Sequence, residues 1–115
     1  MPARGDIILA RFPFTDGSGT KLRPVLALVE VPGPHDDYLV LFISSQLRTA
    51  VAGVDVVLDR QHPDFPGAGL KVPSVLRIGK LATISGRLVL GPLGKIGDPL
   101  LDDVVRRLTK LLEGR

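Results

Sequence analysis

The sequence predicts a mainly β domain, a small twisted antiparallel sheet or barrel covered by one C-terminal helix. Three observations carry this reading. Short runs rich in Val, Ile, Leu and Phe recur at close spacing and are broken by Gly and Pro. One amphipathic helical pattern closes the chain. The chain has 115 residues, enough for a single core and too few for two, so residues 1–115 are read as one domain.

The elements follow in order. Residues Asp6 to Phe12 (DIILARF) read as a first strand that Pro13 ends, since proline cannot donate to a ladder. Phe14 to Lys21 form a loop with Asp16-Gly17 and Ser18-Gly19 turn dipeptides. Arg23 to Glu30 is a second strand, hairpinned to the first. Pro32 to Asp37 is a turn, and Tyr38 to Ser44 a buried third strand. Gly53 to Leu58 alternates, with Val54, Val56 and Leu58 on one face and Asp55 and Val57 on the other, as in a half-exposed strand. Gln61 to Leu70 is too rich in Pro and Gly for regular structure.

Val75 to Leu81 is a further strand with Leu76 and Ile78 toward a core and Arg77 away from it. Arg87 to Leu90 is a short strand before a break at Gly91-Pro92. The helix starts at Asp98 as N-cap with Pro99 in first helical position. Leu100, Leu101, Val104, Val105, Leu108, Leu111 and Leu112 share one of its faces. Asp102–Arg106 and Asp103–Arg107 are pairs four apart on the other side. A sheet this small leaves edges, which dimerisation would cover.

Composition narrows the function. Cysteine is absent, which excludes a disulfide framework and thiolate metal sites and fits a reducing compartment. Met1 to Asp6 is not followed by the apolar core of a signal peptide, and no apolar run approaches membrane-spanning length. The expectation is a soluble cytoplasmic domain with no membrane partner. Net charge is +3, with a pI near 9.7. From Phe65 to Gly97 there is no Asp or Glu, whereas Lys71, Arg77, Lys80, Arg87 and Lys95 all fall there. Such a distribution fits a polyanionic partner, although solvated cations on a sheet would look the same.

Some candidates are set aside on spacing. Gly17 to Lys21 lacks the spacer and following helix of a phosphate-binding loop. His35 and His62 stand in Pro-containing loops, with no second histidine at metal-ligand spacing, so no metal and no cofactor is expected. Phe12 and Phe14 could stack on a base, but in a chain with 4% aromatics they are read as core. Arg23 stands where loop becomes strand, a place that holds a charge rigidly beside a ligand.

Gly5-Asp6-Ile7-Ile8-Leu9, Phe12-Pro13-Phe14 and Arg23-Pro24-Val25-Leu26 together resemble the MazF/PemK toxin family. Ile43-Ser44-Ser45-Gln46 resembles that family's I-T-S/A-Q motif. Ser74-Val75-Leu76-Arg77-Ile78-Gly79-Lys80-Leu81 is similar to its S-V-V-R-x-D-K-L strand. The resemblance implies a Kid/MazF-type fold, related to SH3-like barrels, with a C-terminal helix. It also implies a homodimeric toxin of a type II toxin–antitoxin pair, with a cognate antitoxin as partner. The implied activity is metal-independent, sequence-selective cleavage of single-stranded RNA.

Metal-free RNA cleavage needs a group to take the 2′-hydroxyl proton, charge on the phosphorane to be stabilised, and the leaving oxygen to be protonated. By resemblance Arg23 is the catalytic arginine, whose planar fork suits the phosphorane. Ser44 matches the catalytic threonine. Its hydroxyl can orient the phosphate, though a strand-end serine also bonds local backbone. Lys21, Ser45, Gln46, Arg77 and Lys80 are assigned to RNA binding. Gly79 departs from the pattern, standing where the family often has Asp. If that Asp is the base in relatives, this chain lacks it. A toxin-fold module without catalysis, or one directed at a target such as DNA gyrase, therefore stays open. So does a plain SH3-like nucleic-acid-binding domain.

Overall fold

The computed structural model describes residues 2–13 and 19–114. Six antiparallel strands form one curled sheet, β1 (Asp6–Pro13), β2 (Thr20–Glu30), β3 (Asp37–Ser44), β4 (Val56–Leu58), β5 (Ser74–Ser85) and β6 (Val89–Lys95), in the order β4-β5-β3-β2-β1-β6. Two helices complete it, a single turn α1 (Phe65–Ala68) and a longer α2 (Asp98–Leu112). The mainly β class with a C-terminal helix stands as read from the sequence.

The strands are apolar on both faces because both are covered. One set, including Ile7, Leu26, Leu41, Ile43, Leu58, Leu76 and Ile78, packs under Leu100, Leu101 and Val104 of α2. The alternating set, Ile8, Ala10, Val25, Tyr38, Val40 and Ile84, forms a second cluster with Phe12 and Phe42 at its border. The rings of Phe12 and Phe42 lie 5.1 Å apart and tilted by 57°, which places Phe12 with the packed aromatics. Phe14, Thr15, Asp16, Gly17 and Ser18 lie outside the described residues.

Several boundaries differ from the sequence reading, each for a physical reason. Residues 53–55 do not join β4; Gly53 takes a left-handed turn (φ 79°) and only Val56–Leu58 pair with β5. The Pro/Gly-rich segment does hold one helical turn, α1, which Gly69 ends at φ 72°. Gly86–Leu88 is a 3₁₀ turn held by a hydrogen bond from Arg87 N to Ser85 Oγ, and β6 then runs through Gly91 and Pro92 without breaking. As an edge strand, β6 tolerates a proline. The cap of α2 is Gly97, one residue earlier than expected, and its N–H is held by Asp64 Oδ1 at 3.3 Å. The apolar stripe of α2 outruns the sheet, leaving Leu112 75% exposed. Arg106 bonds Asp103, not Asp102, and shares it with Arg107.

The largest departure is in β5. Leu41 pairs with Leu81, but Ile43, two residues on, pairs with Leu76. Phe42 therefore stands opposite four residues of β5, 77–80. The strand read as regular from Val75 to Leu81 carries a four-residue excursion at the motif that resembles the toxin family's.

The sheet does not close by strand pairing. Instead α1 lies against β6, and two glycines allow the approach. A methyl group on Gly69 would run into the Leu93 carbonyl, and one on Gly94 into the carbonyl of Gly67. Gly91, on the same strand as Gly94, faces open space. Accordingly, Gly94→Ala should lose about 1–3 kcal/mol in chemical denaturation from overpacking against backbone, whereas Gly91→Ala should change stability little. Equal effects at the two positions would show that the α1–β6 contact does not set this closure.

Tyr38, the chain's single tyrosine, is buried. Its phenol is pushed up to about 12, first by its hydrogen bond to the Asp36 carboxylate, then by burial and by the charges of Asp36 and Glu30. A raised phenol binds its proton more tightly in the folded state. Its contribution to stability is therefore complete below the unfolded value of about 10 and is lost as pH rises from there toward 12. Tyrosinate absorbance should titrate with a midpoint near 12. Tyr38→Phe should flatten the fall in stability over that range. A midpoint at the ordinary phenol value would remove the Asp36 bond.

Candidate functional site

The site begins where β2 and β3 part. Their ladder stops at Val25↔Phe42. Continuing that register two residues brings Arg23 opposite Ser44, on the parity that faces away from α2. On its other side Arg23 is paired with Ala10 of β1, so its backbone is fixed while its side chain is exposed. The loop-to-strand entry at Lys21-Leu22-Arg23 thus lies within β2, which already begins at Thr20.

Two hollows meet along Arg23, Ile43 and Ser44. The larger, about 560 Å³, is lined by Lys21, Ser45, Gln46 and Lys71 and by apolar side chains that include Leu22, Leu70 and Val72. The smaller, about 240 Å³, adds Phe42, Arg77 and Lys80. All seven residues assigned to the site from the sequence therefore line one hollow or the other, and Arg23 and Ser44 line both.

Ser44 ends β3 half-buried, and its Oγ accepts the Gln46 N–H at 3.1 Å. This is the local bond of a strand-end serine. It also leaves the hydroxyl proton free to donate, so Ser44 can offer a fixed O–H to an anion. A 3₁₀ turn, Leu47–Thr49, follows, with Thr49 Oγ1 donating to the Gln46 carbonyl at 2.7 Å. The turn fixes the backbone carrying Ser45 and Gln46, both exposed.

The electrostatics are one-sided. Lys21, Arg23 and Lys71 line the larger hollow and Arg23, Arg77 and Lys80 the smaller; among the described residues no Asp, Glu or His lines either. The acid-free stretch from Phe65 to Gly97 acquires a spatial meaning through Lys71, Arg77 and Lys80, which it delivers to one side of the molecule. Among the described residues one carboxylate pairs with this group: Asp55 Oδ2 lies 3.4 Å from Arg77 Nε, and its side chain is 3% exposed.

Sequence reasoning missed two contributors. Lys71 follows a segment read as irregular, so nothing fixed its direction until α1 placed it. Asp55 was assigned to a solvent face by strand alternation, but it precedes β4 and turns inward. The histidines stand apart. His35 is exposed, and His62 uses Nδ1 to accept the Asp64 N–H at 3.1 Å, a role in its turn. Among the described residues no three His, Cys, Asp or Glu side chains gather in a way that could hold a metal ion. Among the described residues no helix is long and apolar enough to cross a membrane.

A hollow that concentrates guanidinium and ammonium groups beside a hydroxyl presents donors of the kind that pair with phosphate oxygens. Comparison with curated proteins finds no match. The family model for PemK-like, MazF-like toxins of type II toxin–antitoxin systems matches residues 3–112. That match spans nearly the whole domain, including every strand and helix that shapes the two hollows, and the chain belongs to this family of toxins.

Proposed function

We propose that the protein is a metal-independent endoribonuclease that cleaves single-stranded RNA, sequence-selectively, at the Arg23–Ser44 junction. One observation carries the reading: two hollows rich in cations and free of described acids meet at a guanidinium and a hydroxyl. In this reading the scissile phosphate sits at the junction. Arg23 grips two of its oxygens and takes up the charge that grows on the phosphorane. The Ser44 hydroxyl, held by Gln46 N–H, donates to one of the same two non-bridging oxygens. Arg77 and Lys80 neutralise the phosphate on one side, and Lys21 and Lys71 the phosphate on the other. Ser45 and Gln46 offer donors to a base edge in the larger hollow, whose apolar lining suits an unstacked base. Attack of the 2′ oxygen on phosphorus breaks the bond to the 5′ oxygen and leaves a 2′,3′-cyclic phosphate and a 5′-hydroxyl; solvent water takes the 2′ proton and supplies the one the 5′ oxygen gains, since the described lining holds no carboxylate or imidazole.

As a toxin of this family it would act in the cytoplasm, be held inactive by a cognate antitoxin, and work as a homodimer. Exposed Leu22, Val72 and Leu93 line the larger hollow and give a second copy apolar surface to cover. A second reading has one observation in its favour. The described lining contains no carboxylate or imidazole to move a proton, as suits a toxin-fold module that binds a polyanion or another target, such as DNA gyrase, without cleaving.

Two experiments separate these readings and test the assembly. Single-stranded RNA should be cut in excess EDTA with 2′,3′-cyclic phosphate ends, and Arg23→Ala should lower kcat/KM by about 10²–10³-fold with the fold intact. Cutting at the wild-type rate by Arg23→Ala would remove Arg23 from the reaction, and no cutting under any condition would leave the binding-module reading. Sedimentation equilibrium at micromolar protein should give a dimer; a monomer at every concentration would remove the homodimer.

A further inference from the structure

The cation on the far side of the smaller hollow is held from beneath. Residues 77–80 of β5 have no registered partner on either neighbour: the β4 ladder stops at Val56↔Leu76, and the β3 ladder jumps from Leu76 to Leu81. Backbone amides in such a stretch need other acceptors. Ile78 is fully buried, and its N–H donates to Asp55 Oδ1 at 2.9 Å. The second oxygen, Oδ2, accepts the Val51 N–H at 2.9 Å and faces Arg77 Nε. Asp55 is itself braced. Arg107 of α2 donates through Nη1 to the carbonyls of Val54 and Asp55, at 3.2 and 3.1 Å, while its Nε is held by Asp103. Asp55 lines neither hollow.

Two amides and a guanidinium compensate the carboxylate for the water it has lost. They also hold both of its oxygens in place, which makes it an anchor. We infer that Asp55 is the positioning residue for Arg77: it engages Nε from below and turns the two Nη groups into a fixed fork facing the hollow shared with Arg23 and Ser44. The inference rests on reading that hollow as the RNA phosphate site. Arg77 is thereby distinguished from Lys80, whose ammonium has no second nitrogen by which to be gripped. The side chain of Arg77 is 21% exposed, enough to meet a ligand and little enough to be held.

The direct test needs no RNA. In nitrogen-labelled protein, the NMR order parameter of the Arg77 Nε–H should approach that of the backbone. In Asp55→Asn it should fall to the value of the exposed Arg11. An unchanged order parameter overturns the tether. With RNA, Asp55→Asn should cleave roughly tenfold more slowly because the fork is misplaced. Arg77→Ala should lose at least as much, and the double variant no more than Arg77→Ala alone. A loss at Asp55 that persists undiminished in the Arg77→Ala background would mark Asp55 as merely structural. Should Asp55→Asn not fold, Arg77→Lys decides: it keeps the charge but lacks Nε, so it should cleave like Arg77→Ala, and wild-type cleavage would overturn the proposal. A wild type that cuts no RNA yet shows the order-parameter fall retains the tether and overturns only the reading of the site as RNA-cleaving.

Discussion

The excursion in β5 follows from where its apolar residues must go. Leu76, Ile78 and Leu81 all pack into the cluster under α2. Positions 76 and 78 suit a strand, whose faces alternate, but 81 has the opposite parity. No regular strand can bury all three against the same layer. The chain resolves the conflict by setting four residues of β5 opposite Phe42. Burying Ile78 this way is worth about 1.5–3 kcal/mol, which offsets local loss of ladder hydrogen bonds once Asp55 has supplied an acceptor. The functional consequence is geometric. Arg77 and Lys80 are three residues apart and in a regular strand would face opposite ways, whereas here both line one hollow with Arg23 and Ser44.

Collecting those cations in one place is unfavourable without a counter-charge. At the surface, like charges repel only weakly, since water and salt screen them over roughly 8 Å at physiological ionic strength. Arg23, Lys21, Lys71 and Lys80 are exposed and can tolerate this. Arg77 is more enclosed, and it is Arg77 that receives the carboxylate. The remaining positive charge has no described acid in the lining to answer it. It constitutes a standing potential that a chain of phosphates can neutralise, with release of counterions. The division of labour is consistent: the core-side acid fixes geometry, and the exposed cations supply attraction.

The order of the strands, the closing helix and the gathering of the seven candidate residues along two adjoining hollows were legible because each rests on a local signal: apolar runs, a 3.6-residue stripe, and motifs quoted in order. What escaped depends on contacts between distant segments. Alternation put Asp55 toward solvent, and Arg77 and Arg107, 22 and 52 residues away in sequence, turn it inward. The helical turn at Phe65–Ala68 was hidden by Pro66 and Gly67, which weaken any local helical signal; its closeness to β6 depends on Gly69 and Gly94 lacking a side chain. The strand at Gly91-Pro92 survives because β6 is an edge, a property of the sheet and not of the dipeptide.

Gly79 stands at the position where sequences of the resembled toxin pattern often carry Asp. A side chain there would leave the backbone toward Leu111 of α2, whose Cδ2 lies 3.7 Å from the position of a Cβ. That direction is toward the helix and away from the hollow that Arg23, Arg77 and Lys80 share. Gly79 also stands within the excursion, between a buried Ile78 and an exposed Lys80. A carboxylate there would start out against Leu111, in the last turn of α2. The carboxylate beneath the site is instead supplied by Asp55, from a different strand connection, where two amides and Arg77 already satisfy it. Gly79 itself lines neither hollow, so the departure from the family pattern leaves the cationic lining of Arg23, Arg77 and Lys80 in place.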